Sequence, residues 1–79
     1  MVMKIGLLWY DDDPKRGVTD KIEQAVQRYY EKFGKKPNTC YVNPVLLPSG
    51  SMAHNGVKVL VATTVLPNHF WVGVSEGER

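Results

Sequence analysis

The chain has 79 residues, with ten basic and eight acidic side chains for a formal charge of +2, and Cys40 is its only cysteine. That length makes one domain around one core, and a lone thiol excludes both an internal disulfide and a cysteine-rich zinc site. So mild a charge does not by itself mark a nucleic-acid binder, and no apolar run approaches the ~20 residues of a membrane span. Domains this small bury only about 60% of their unfolded surface and lean on some further staple. Self-association is the staple left. The first residues, Met1-Val2-Met3-Lys4-Ile5, lack the pattern of a signal peptide, so a cytoplasmic protein with no membrane partner is expected.

Met3 to Tyr10 reads as a strand that is apolar on both faces, which is the pattern of a central strand. Asp11-Asp12-Asp13-Pro14 ends it, because aspartate and proline suit turns better than ladders. Ile22, Ala25, Val26, Tyr29, Tyr30 and Phe33 then recur at helical spacing and predict one amphipathic helix over 20–33. Thr19 or Asp20 is expected to cap it, with Glu23 completing a capping box, and Gly34 and Pro37 to end it.

Thr39 to Val42 is a short strand stopped by Asn43-Pro44. Residues 43–56 read as a loop, since they hold Pro48, Ser49, Gly50, Asn55 and Gly56. Residues 57–64 make a β-branched strand, Leu66-Pro67-Asn68 a turn, and residues 69–74 a last strand. A frayed tail, 75–79, is expected to follow. The order strand–helix–strand–strand–strand predicts an α+β fold for the whole chain, 1–79. It is a two-layer sandwich of one helix on a mixed four-stranded sheet. Its first two strands would be joined by a crossover, and its last two would form an antiparallel hairpin.

A helix of that length is ~21 Å long and ~10 Å wide, which is too narrow to shield a four-stranded sheet on both sides. Alternation puts Ile5, Leu7, Val57, Val59, Val61, Phe70, Val72 and Val74 towards the helix. Lys4, Leu8, Tyr10, Tyr41, Lys58, Leu60, His69 and Trp71 fall on the other face. Three fates are open to that face. The 45–56 loop could fold over it, two copies could pack there as a homodimer, or its aromatics could stack bases of a single-stranded nucleic acid. The interface candidates are therefore Tyr10, Tyr41, Leu60, His69 and Trp71.

The acidic run offers other chemistry. Carboxylates at the carboxyl end of a strand can hold Mg²⁺ or Mn²⁺ and activate water for phosphodiester cleavage. On that alternative, Asp11 and Asp13 are the metal ligands and His69 a base; on the simpler one the acids make a solvated turn. Cys40 lies in an apolar strand, where a free thiol is an inert small hydrophobe. His54 lies in a polar loop beside Asn55. Lys15 and Arg16, and Arg28 with Lys32, Lys35 and Lys36, make two small basic groups with no glycine-rich phosphate loop beside them. The expected function is a non-enzymatic binding or assembly protein, with a phosphodiesterase or a single-strand binder as alternatives.

Two resemblances accompany these residues. The strand ending in Asp11-Asp12-Asp13 and the helix after it, residues 4–33, resemble the start of the small nuclease-like subunit of CRISPR adaptation, a ferredoxin-like dimer. That resemblance implies a metal-binding aspartate at Asp11; the family has two helices where this chain has one. The segments Tyr30-Glu-Lys-Phe-Gly-Lys-Lys-Pro-Asn-Thr-Cys-Tyr-Val-Asn-Pro44 and Leu66-Pro-Asn-His-Phe-Trp-Val-Gly73 resemble a group of short uncharacterised prokaryotic proteins. That group implies no activity.

Overall fold

The computed structural model describes residues 2–76, with side chains over 6–74. One helix, α1 (Val18–Phe33), lies on a mixed sheet of five strands: β1 (Val2–Tyr10), β2 (Thr39–Val42), β3 (Ser51–His54), β4 (Val57–Val61) and β5 (His69–Glu76). The α+β class and the single helix are as expected, with one strand more than the sequence suggests. That strand is β3, which lies inside the supposed 43–56 loop. β5 runs on to Glu76, so only residues 77–79 of the supposed tail lie outside the described residues.

Ile22, Ala25 and Tyr29 are buried with Val18, Val26 and Phe33 packed round them, as an apolar helical stripe requires. The Tyr29 and Phe33 rings meet at 4.6 Å. Tyr30 turns away and stays half exposed, beyond the margin of the stripe. Gly17 is the N-cap, so Thr19 and Asp20 lie inside the first turn instead of capping it. Gly34 ends the helix at φ 75°, its N–H donating to the Tyr30 carbonyl as in a left-handed C-cap.

The spatial strand order is β1-β5-β2-β4-β3. β5 runs antiparallel to both β1 and β2, so β1 and β2 are parallel with the last strand inserted between them. The predicted hairpin of the last two strands does not form, because β4 pairs with β2 in parallel and with β3 antiparallel. Its hairpin partner is β3, through the two-residue turn Asn55-Gly56, whose φ angles are 51° and 81°. Positive φ at both centres is the tight turn whose twist matches paired strands. Gly56→Ala puts a Cβ into that left-handed conformation and is expected to cost about 1 kcal/mol. Urea denaturation checks it as a lower midpoint at unchanged slope.

One register row, Leu7–Val72–Cys40–Val59–Met52, crosses all five strands beneath α1. Leu47, which follows a single 3-10 turn at Pro44–Leu46, joins this helix-side core. Segment 43–56 therefore serves the helix layer and the sheet edge. Among the described residues β1 is an edge strand, contrary to its central-strand pattern, because β5 takes only one of its sides. Between Met3 and Gly6 a register shift leaves two residues opposite Val74, a β-bulge.

Candidate interaction face

The row on the opposite side of the sheet is Leu8–Trp71–Tyr41–Leu60–Ser51. Tyr10 and His69 form the next pair along, with ring centroids 4.9 Å apart. All five sequence-predicted interface residues therefore share one face, as two-residue periodicity requires. Leu8 is 55% and Tyr10 54% exposed, while Trp71, Tyr41 and Leu60 are partly buried. Trp71 gains its cover by lying across the sheet. A Cβ built on Gly6 would fall 2.5 Å from its Cζ2 atom, so the indole occupies the space a side chain would fill.

Beside it, the β4–β5 connection raises a wall. Val65, Leu66 and Thr64 face Leu8, His69 and Trp71 across a groove of about 340 Å³. Leu66 is 64% exposed at its rim. The connection is held by Asn43, whose side-chain amide donates to the Val65 carbonyl at 2.8 Å. The turn at Leu66-Pro67-Asn68 forms as expected, the His69 N–H donating to Leu66 O with Asn68 at φ 66°. The His69 Nδ1–H donates to the Pro67 carbonyl at 3.0 Å. The Tyr10 hydroxyl donates to Asp12 at 2.8 Å. That bond, helped by desolvation and the Asp12 charge, holds the phenol above its ordinary value. Val65 and Leu66 escape sequence reasoning because they sit in a connection, where no periodicity assigns a face.

The acids after β1 build the turn. Asp11 Oδ2 takes the Arg16 guanidinium at 2.6 Å, and Oδ1 accepts the Asp13 N–H at 3.1 Å. Asp13 Oδ1 accepts the Lys15 N–H at 2.9 Å, and Arg16 also reaches the Asp20 carbonyl at 3.1 Å. With its side chain only 8% exposed, Asp11 has both oxygens committed. A cation there would have to displace a guanidinium from a partly buried ion pair, so Asp11 as it stands does not fit the Mg²⁺ or Mn²⁺ that the acidic run suggests. Among the described residues, no three His, Cys, Asp or Glu side chains gather into a possible metal site.

Cys40 is fully buried, and burial pushes its thiol up to about 12. A thiol that holds its proton so firmly is a poor nucleophile. His54 bonds Glu23 of α1 at 2.7 Å, tying the β3–β4 hairpin to the start of the helix. Of the basic residues, Arg28 stands 5.2 Å over the Trp9 ring and borders, with Glu31, Lys32 and Leu7, a second groove of about 280 Å³ on the helix side of β1. No described helix is long and apolar enough to cross a membrane. No family model matches the chain, and neither a curated protein nor a solved structure matches it.

Proposed function

We propose that the chain is a small non-enzymatic binding or assembly protein that self-associates through the sheet face α1 leaves uncovered. The observation behind this reading is the apolar row Leu8–Trp71–Tyr41–Leu60, flanked by Tyr10 and the exposed Leu66. Contiguous apolar surface of this kind marks contact sites, and aromatic anchors carry most of the energy in such contacts. A single buried thiol suits the reducing cytoplasm.

Light scattering over a concentration series tests the reading. The wild-type mass should rise from monomer to dimer, and Trp71→Lys should weaken the dimer by roughly a thousandfold, because a two-fold contact loses the anchor from both copies at about thirtyfold each. A protein that stays monomeric throughout would refute it. The alternative of single-strand binding draws on the same aromatics with Lys58, and predicts salt-sensitive quenching of tryptophan emission by oligonucleotides. The phosphodiesterase alternative has less behind it, since Asp11 is engaged by Arg16 and the Asp13 amide.

A further inference from the structure

β1 reads in sequence as a strand with neighbours on both sides, yet among the described residues it has one on a single side. Long edges of this kind are usually blunted by charge, proline or brevity. The other edge, β3, is blunted: it has four residues, Ser51-Met-Ala-His54, with alternate positions exposed. From Gly6 to Tyr10 the β1 edge carries neither charge nor proline, and apolar groups flank it on both faces. Leu8 and Tyr10 are exposed on one side, and Leu7 and Trp9 border the helix-side groove on the other.

The hydrogen-bond phase of this edge can be read off. The Asp11 N–H donates to Asn68 O at 2.9 Å, in continuation of the pair Tyr10–His69. In an antiparallel ladder, bonded and non-bonded pairs alternate. Leu7 and Trp9 therefore bond to β5, while Gly6, Leu8 and Tyr10 aim both N–H and C=O outward. The bulge ends this regular stretch just before Gly6. What remains is five residues long, has Leu8 at its centre, and exposes the backbone groups of alternate residues symmetrically about it.

We infer that β1 pairs antiparallel with β1 of a second copy across a two-fold axis at Leu8, joining two sheets into one of ten strands. This rests on the assembly reading but moves the contact from the open face to its β1 edge, where Leu8, Tyr10 and the Trp71 indole form the margin. The pairing sets Leu8 beside its own equivalent and Tyr10 opposite Gly6, against the indole that lies on that glycine. On the helix side Leu7 meets Trp9. The two helices then approach along faces that carry both signs, so Glu31 of each copy can meet Arg28 and Lys32 of the other. An isologous contact requires that kind of self-complementarity.

Residue-resolved hydrogen exchange on the wild-type chain, at concentrations above and below the midpoint seen by light scattering, tests this geometry. Gly6, Leu8 and Tyr10 amides should lose at least about a hundredfold in protection on dilution, while Leu7 and Trp9 amides stay protected by β5. Leu8→Pro removes an outward N–H and no β1–β5 bond, so it should keep the fold by circular dichroism and abolish the dimer. A dimer whose Gly6, Leu8 and Tyr10 amides exchange freely would overturn the edge pairing and leave the assembly reading standing. So would a folded Leu8→Pro variant that dimerises like wild type. A monomer at every concentration would overturn both. Added strand protection that requires a peptide ligand, in a chain that stays monomeric, would also overturn the self-pairing.

Discussion

Gly6→Val is expected to destabilise the protein by about 1–3 kcal/mol, the usual cost of forcing extra carbon into a filled space. The three nearest atoms to a Cβ at this position all belong to the Trp71 ring, at 2.5–2.8 Å. Either the indole lifts off the sheet or the strand shifts. Glycine otherwise gains a strand little, and valine suits one better by roughly 0.5–1 kcal/mol. The sign should therefore reverse once the ring is gone: in a Trp71→Ala background, Gly6→Val should be neutral or stabilising. Chemical denaturation of the four-protein cycle, at a concentration where all four share one oligomeric state, measures this. Equal costs in both backgrounds would mean that the indole does not rest on Gly6. The result bears on assembly too, since an indole displaced from Gly6 no longer presents the surface against which Tyr10 of a second copy would pack.

Stability should also fall steeply in alkali because of Cys40. The folded thiol is held at about 12 against an ordinary 9.0, and burial is the cause. The folded state keeps its proton where the unfolded state has lost it. The thiol's contribution is thus fully present below pH 9 and declines as pH rises, by about 1.4 kcal/mol per unit until about pH 12. Tyrosines and lysines titrate in the same range, so the informative quantity is the difference from Cys40→Ala. That variant starts lower, because it leaves a cavity, and should lose stability less steeply above pH 9. Thiol labelling reports the same effect. At pH 8 the thiolate fraction is smaller by a factor of about 10³ in the folded protein, so an aromatic disulfide reagent should label Cys40 at the rate of global unfolding. Fast labelling of the native protein, or equal alkaline slopes for the two proteins, would show that the site is not sealed.

How much of this could be read in advance depended on how local the determinant was. Period-two alternation placed Tyr10, Tyr41, Leu60, His69 and Trp71 on one face, since each strand carries that information within itself. Helical spacing did the same for Ile22, Ala25, Val26, Tyr29 and Phe33, while Tyr30 fell outside because a stripe has no sharp margin. β3 escaped notice because Ser-Met-Ala-His has weak alternation, although Asn55-Gly56 carries the turn chemistry that announces a hairpin. The acidic run after β1 could be a turn or a ligand set by composition alone. In the fold Arg16, five residues on, pairs with Asp11, a contact that composition does not announce.

The sequence by itself determined the class of the fold, the single helix with its C-terminal glycine, and which residues from Gly6 onward share each side of the sheet; Lys4 and Ile5 fall in the bulge, and their side chains lie outside the described ones. Those properties follow from backbone preferences and periods that act over a few residues. Tertiary structure alone decided that β5 inserts between β1 and β2 and that β1 lies at the edge. It also decided that the β4–β5 connection walls a groove beside Trp71. Strand neighbours are chosen by pairing across many residues of chain, where several orders satisfy the same alternation and only the packing of the whole core selects one. β1 carries the composition of an interior strand into an edge position, and its second hydrogen-bonding side, unused among the described residues, is the feature that neither level shows without the other.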